Sequence, residues 1–331
     1  MRIRWGILGT ATIAREAVIP SMLKAPYCEQ IEVAAIASRS LEKGQAVADE
    51  FGIEQAYNSY DELLADSTID AVYVPLPNHL HVPYSIRALE AGKHVLCEKP
   101  IALNTAEAEA LAAVSRRCPR LKLMEAFMYR HHPQWQWARK IVAEGTLGKV
   151  ATIHSCFSFF DDDPSSILHH RQWGGGGLMD IGCYSVSLSR LLFGSEPTRV
   201  IGVFENDPSF DVDRLTSGLL EFPDGVATFT CSTRLAEYQR VDVIGTQGRL
   251  EIELPFNPPT DRPCCARLKV NDSVVQQRFD VCDHYGIQAA LFTRAILDDT
   301  AVPTPIEDAV DNMRVIEALF RSGKTESWES L

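Results

Sequence analysis

The chain has 331 residues and a formal net charge of −12, which is too long for one ordinary core and fits two domains. Its acidity excludes nucleic acid or an anionic membrane surface as the main partner, because both would repel it. The nine cysteines (28, 97, 118, 156, 183, 231, 264, 265, 282) are odd in number, scattered and free of any C-x-x-C, so reduced thiols are expected rather than a disulfide framework or a zinc site.

Residues 2–8 read as a first strand leading into GILGTATIA. There Gly9 holds the first fingerprint position, Ala11 the second and Ala14 the third, after a strand and at the opening of a helix. The exposed amides and dipole of that helix suit a pyrophosphate. Gly9, Thr10, Ala11, Thr12 and Ile13 are therefore candidate cofactor contacts. Taken alone the motif also fits an ordinary strand-to-helix turn, and the Ala11 methyl stands where glycine would allow the closest approach.

A second strand, 31–37, ends in AIASRS, and Ser40 caps a helix over 40–51. An acidic residue belongs at that strand end if the cofactor carries a free ribose 2′-hydroxyl. Ser38 and Arg39 stand there instead, with Lys43 one turn into the helix. A hydroxyl and two cations hold a 2′-phosphate that a carboxylate would repel, so NADP(H) is preferred, with NAD(H) left open. A solvated Arg39 is the plain alternative.

The strand at 70–76 runs through YVPLPNHLH into a proline-bounded turn and a helix over 81–91. Leu76, Pro77, Asn78 and His81 then lie at the carboxyl edge of the sheet, where open α/β sheets bind ligands. The next strand, 93–97, continues as HVLCEKP and places Glu98 and Lys99 at the same edge. A helix over 105–117, opened by Thr105 with Glu107, and a strand at 121–127 complete an alternation that implies a doubly wound parallel sheet. The pairs His79/His81, His131/His132 and His169/His170 have no further ligands that the sequence can assemble around them, so no metal is expected.

From about residue 150 strand-like runs succeed one another (150–160, 198–204, 215–222, 225–233, 239–245, 248–254, 266–270, 274–280). Pro-Asp-Gly in EFPDGVATF marks a hairpin. A mainly antiparallel sheet follows. Two late helices, about 284–297 and 306–321, fit either that sheet or the first half. The boundary is soft, and the chain is divided into 1–123 and 124–331.

Within the second part, GGGGLMDIGCYSVSLSRLLFG (174–194) begins with a flexible or close-packed glycine run and continues with apolar residues at helical spacing. Asp180 and Tyr184, four apart, emerge on one face of that helix. A carboxylate and a phenol so placed can orient a lysine and relay a proton. They also fit an aspartate favouring the helix dipole and a tyrosine in packing.

Together GxxGxAxIA, PNxxH, EKP, EAFMYRxHP (125–133) and GGGxLMDIGxY resemble the glucose-fructose oxidoreductase / inositol dehydrogenase family over nearly the whole chain. The resemblance implies an α/β protein with an N-terminal Rossmann domain and a C-terminal α/β domain whose mainly antiparallel open sheet makes subunit contacts, hence a homodimer or homotetramer. It implies that the substrate lies between the domains over the nicotinamide. Lys99 corresponds to the family's catalytic lysine, Asp180 to its partner aspartate and Tyr184 to the acid–base position. Tyr60, Glu98 and Arg171 fall where relatives touch cofactor, and Arg130, His132, Arg171 and Trp173 belong with the pocket.

Inositol dehydrogenases carry a histidine in place of Tyr184. The tyrosine resembles the branch of dimeric dihydrodiol dehydrogenases, D-xylose dehydrogenases and sugar 3-ketoreductases, so the implied substrate is a sugar or cyclic diol. The rival readings are a dinucleotide-sensing regulator without turnover and a glycosidase or dehydratase that uses the cofactor transiently. No run approaches the roughly 18 apolar residues of a membrane span, and no signal peptide is evident, so a cytoplasmic address is expected.

Overall fold

The computed structural model describes residues 2–331. In the first half, β1 (Ile3–Leu8) leads through a π-turn (Ala14–Val18) into α1 (Ile19–Leu23). It is followed by β2 (Ile31–Ala37), α2 (Leu41–Phe51), β3 (Gln55–Tyr57), α3 (Tyr60–Ala65), β4 (Ala71–Val74), α4 (His81–Glu90), β5 (His94–Cys97), α5 (Thr105–Arg117) and β6 (Leu123–Glu125). The six strands form one parallel sheet in the order β3-β2-β1-β4-β5-β6. This is the doubly wound arrangement, and its order reverses between β1 and β4. Central strands are apolar without alternation because helices cover both faces: AVYV of β4 is buried at every position.

The periodicity of the sequence passes over β3 and α3. β3 is a three-residue edge strand with no fully buried position, which leaves little apolar pattern to read. Ser40 caps α2 by accepting the Lys43 amide. At α5 the cap is Asn104, not Thr105: the Asn104 side chain accepts the Glu107 amide at 2.9 Å, and Thr105 is already inside the helix.

The second half comprises α6 (Pro133–Ala143), β7 (Val150–Phe160), α7 (Cys183–Phe193), β8 (Arg199–Asn206), β9 (Asp213–Phe222), β10 (Gly225–Ser232), β11 (Arg234–Gly245), β12 (Gly248–Ile252), β13 (Cys264–Val270) and β14 (Ser273–Phe279). It ends with α8 (His284–Leu297), α9 (Ile306–Thr325) and a two-residue β15 (Glu329–Ser330). Nine strands form a sheet in the order β14-β13-β12-β11-β7-β10-β9-β8-β15. Every neighbouring pair is antiparallel except β7 and β10, which run parallel. The Pro223–Asp224 turn joins β9 to β10 with Phe222 paired to Gly225. Helix α7 lies on one face, with Tyr184 against Phe157 of β7. The other face carries polar cross-strand pairs such as His154–Thr228 and Ser217–Thr230.

By packing, the chain forms two compact units: residues up to Met128 with Asp283–Val310, and Tyr129–Cys282 with Asp311–Leu331. The division at 123/124 treats the second part as continuous, whereas α8 returns to the first unit. The reason is visible at both ends of the helix. Asp283 caps it by accepting the Tyr285 and Gly286 amides, and its other oxygen accepts the Ser21 hydroxyl of α1 at 2.7 Å. Farther along, fully buried Phe292 meets the ring of fully buried Trp5 at 5.6 Å.

Among the described residues no disulfide forms, no group of three or more His, Cys, Asp or Glu is arranged to hold a metal ion, and no helix is long and apolar enough to cross a membrane. Phe292→Ala removes the largest aromatic contact that α8 makes with Trp5. It is expected to destabilise the first unit by about 3–5 kcal/mol, read as a lower denaturant midpoint in an unfolding titration.

Candidate active site

In the first unit the sequence-marked cofactor residues gather at the carboxyl edge of the parallel sheet. Gly9 leaves β1 with φ +110°, and its amide donates to Ala37 O at 2.8 Å. A Cβ there would lie 3.2 Å from Leu76 Cδ2 and 3.8 Å from the Tyr60 hydroxyl, so it is the positive φ more than space that calls for glycine. Thr10, Ala11 and Ile13 are half-buried and Thr12 is exposed. The Ala11 carbonyl takes the amides of Ala14 and Arg15 as the helix opens.

At the end of β2, Ser38 is buried, and its hydroxyl accepts the Ser40 amide at 3.2 Å. Arg39 and Lys43 are exposed. Arg39 hydrogen-bonds the Tyr60 phenol, whose proton is held more tightly than usual by burial, with Arg39 opposing. Gly9, Arg39, Tyr60 and Leu76 thus share one neighbourhood, with two cations at its rim.

Lys99 follows β5 and is half-buried. The segment around it is tied down by three buried side chains, one through the Glu98 carboxylate and two through the backbone. Tyr73 of β4 donates to Glu98 Oε1 at 2.6 Å, and burial together with the Glu98 charge holds that phenol well above its ordinary range. The Ile101 amide donates to Glu125 Oε1 at 2.7 Å. His81 lies with Nδ1 2.8 Å from Pro100 O and Nε2 2.6 Å from Leu76 O, joining the two turns. A neutral imidazole can donate to only one of those carbonyls. Burial, with Lys99 and His79 nearby, nevertheless outweighs both carbonyls and lowers His81 to about 4.

Tyr73, Glu125 and Tyr285 are not singled out by the sequence. Tyr285 opens α8, and its phenol is raised by burial and by Glu98, with Lys99 opposing. Its separation from EKP in sequence hides this. Pro77 and Asn78 are half-buried in the turn that follows Leu76.

In the second unit Asp180 is half-buried and Tyr184 buried. The helix bearing them is not uniformly α: Leu178–Gly182 is a π-turn, and the α-helix begins at Cys183. The wider turn changes the relation expected from α spacing, since it closes five residues apart rather than four. The Tyr184 ring packs with Phe256 at 5.2 Å, Tyr129 at 5.7 Å and Phe157 at 5.8 Å. Below it the Ser187 hydroxyl meets the Tyr129 hydroxyl and Arg130 Nη2, both at 2.7 Å. Arg171 is exposed and ion-paired with Asp211 at 2.7 Å.

The doubly wound sheet, the glycine at its first strand end, and a lysine held at the same edge define a dinucleotide-binding oxidoreductase. Residues 3–125 match the oxidoreductase family with an NAD-binding Rossmann fold, and residues 135–251 match the GFO/IDH/MocA C-terminal domain. The chain belongs to the GFO/IDH/MocA family. It is 44% identical to an uncharacterised oxidoreductase of Rhizobium meliloti, with 99% of each chain covered. It is 40% identical to D-xylose 1-dehydrogenase (NADP+) of Haloferax volcanii, with 97% of each covered. Its fold is similar to the crystal structure of a 3-ketoreductase from Actinomadura kijaniata in complex with NADP and TDP-benzene, at 31% identity and a TM-score of 0.90, over 97% of this chain and 98% of that one. Variants of that reductase with one lysine or one tyrosine replaced have been solved with the same two ligands.

A histidine held neutral in the folded state and protonated in the unfolded one stabilises less as pH falls from about 6.5 to about 4. Between about pH 7 and 5, the wild-type first unit is expected to lose up to about 2 kcal/mol through His81. In paired denaturant titrations, His81→Gln removes that part of the pH dependence.

Proposed function

We propose that the protein is an NADP-dependent dehydrogenase or reductase that interconverts a carbinol and a ketone or lactone carbon on a sugar or cyclic diol. The observation that carries this reading is the clamped Lys99, held at the sheet edge by Tyr73, His81 and Glu125 acting on its neighbours. The residues present suit the cofactor. Gly9 turns at φ +110°, a conformation that strains a side chain and lets the backbone approach a pyrophosphate, and Arg39 and Lys43 offer cations for a 2′-phosphate. The names of the D-xylose dehydrogenase and of the 3-ketoreductase support both the cofactor and the substrate class.

When bound, NADP(H) supplies or takes up the hydride. In the reducing direction Tyr184 delivers the proton to the nascent alkoxide, Lys99 stabilises that charge and lowers the phenol's pKa, and Asp180 orients the lysine. That a lysine and a tyrosine were the residues replaced in the related 3-ketoreductase supports these two roles. The phenol is suited to its task by its setting: Phe256, Tyr129 and Phe157 fix its ring and keep water from three sides. Glu98, Asn78, Tyr60 and Arg171 are assigned to cofactor contacts.

The second unit supplies the surface for self-association. Val203, 69% exposed, stands with Ile201 and Leu219 around a shallow groove on the open face of the large sheet. A second copy covering that face makes a homodimer, or a homotetramer when paired again.

NADP(H) absorbance over a panel of aldoses, keto-sugars and cyclic trans-diols tests the activity. Turnover of one class is expected, and both Lys99→Ala and Tyr184→Phe should lower kcat by about 10²–10⁴-fold. Cofactor binding without turnover of any panel member would favour a regulator instead, and turnover with no net change in free NADP(H) would favour a glycosidase or dehydratase cycle. In separate binding titrations, Arg39→Ala should weaken NADPH by about tenfold or more while leaving NADH within about twofold. Equal losses would remove Arg39 from the 2′-phosphate.

A further inference from the structure

The glycine run before the Asp180 helix has a buried partner. Asp213, the first residue of β9, is 4% exposed. Its Oδ2 accepts the Leu178 amide at 2.6 Å and the Thr216 hydroxyl at 2.7 Å, and the Gly177 amide also points to its carboxylate. Gly176, with φ +107°, lies so close that a Cβ would fall 2.1 Å from Asp213 Oδ1. Gly176, and less tightly Gly177, therefore make room for one carboxylate, while Gly175 makes room for the Leu168 carbonyl.

That carboxylate holds the first residues of a π-turn, Leu178–Gly182. The far end of the same turn is fixed against β10, where a Cβ on Gly182 would lie 2.9 Å from Cys231 Sγ. Asp180 lies between the two fixed points and Tyr184 one helical step beyond them. An α-helix started freely at Gly177 would satisfy its first amides with water or a cap and close every fourth residue. Here a sheet residue takes the amides of Gly177 and Leu178 instead; the first bond, from the Asp180 amide to Gly176 O at 3.0 Å, closes four apart, and the π-turn follows it.

We propose that Asp213 is a positioning residue for the reaction: by binding the Gly177–Leu178 amides it fixes where the helix carrying the π-turn starts and so aims Asp180 and Tyr184. The assignment rests on the proposed dehydrogenase reading for its consequence in catalysis, but not for its structural half. Asp213 touches neither substrate nor cofactor in this role. Burial pushes its carboxyl up to about 6, with the accepted hydrogen bonds opposing, so an ionised carboxylate here carries a desolvation cost. An asparagine keeps one acceptor but turns an amide toward donors on the other side, so Asp213→Asn breaks the cradle without changing its size.

Two measurements on the full chain test this. Hydrogen exchange of the 176–184 amides needs no substrate. It should accelerate by about tenfold or more in Asp213→Asn, with the amides of the parallel sheet unchanged. With the sugar or diol that the wild type turns over, kcat should fall by about 10²-fold, as misplacement near the reacting groups does. NADPH affinity, carried by the other unit, should stay within about twofold. Should Asp213→Asn not fold, Thr216→Val removes only one bond to the same oxygen, and should give the same pattern at smaller size, about threefold in kcat.

Unchanged exchange over 176–184 in a folded variant would overturn the positioning role, and so would faster exchange with unchanged kcat. Faster exchange throughout the second unit, with the loss of kcat tracking the loss of folded protein, would reduce Asp213 to a general structural residue and also overturn it. If the wild type turns over no panel substrate, the dehydrogenase reading fails while the exchange result still decides whether Asp213 fixes the helix start.

Discussion

A chain that leaves the end of a buried strand must satisfy its backbone polar groups away from water, and this requirement governs the segment that carries Lys99. β5 ends at Cys97, and only the Glu98 amide still reaches the next strand, at Val74 O. Beyond it the Pro100 carbonyl is met by the His81 ring and the Ile101 amide by the Glu125 carboxylate, while the Tyr73 phenol holds the Glu98 side chain; the three partners come from β4, β6 and α4. An unpaired buried donor or acceptor costs about 1–3 kcal/mol, so each bond restricts the paths open to this turn. The lysine at its centre inherits a fixed origin for a flexible side chain.

The second unit solves a similar problem in the opposite direction. At the start of a helix the first amides lack partners, and here Asp213 supplies them from a strand rather than from a capping residue in the chain just before. In both units a charged or polar group in the interior is retained where it defines a turn next to chemistry. Apolar residues such as Ile7, Leu8, Ile36 and Val74 in one unit and Ile153, Val241 and Leu250 in the other make up the fully buried cores.

Much of this was legible from the amino-acid order. The strands β1, β2, β5 and β7 stand out because each is a sustained apolar or β-branched run, and Gly9, Lys99, Asp180 and Tyr184 sit in short motifs that report their own context. What escaped did so for physical reasons. β3 is short and at an edge, so burial imposes little pattern on it. The cap of α5 moved by one residue because Asn104 and Thr105 both offer an oxygen and only backbone geometry chooses. The Leu178 amide at the head of the π-turn is bound by a carboxylate 35 residues away, and Tyr73 and Tyr285 join the Lys99 neighbourhood through tertiary packing that no local spacing encodes.

The return of α8 to the first unit has a temporal consequence. Trp5 and Phe292 share one core although nearly the whole chain separates them, so contacts of very long sequence separation close that core. During synthesis the parallel sheet emerges early, but the helix that covers Trp5 emerges near the end. Until then the nascent sheet presents an apolar face that a chaperone or a neighbouring nascent chain can reach. The two units are interleaved in the chain: the first is complete only once Val310 has emerged, and the antiparallel unit, mostly made by then, still awaits Asp311–Leu331.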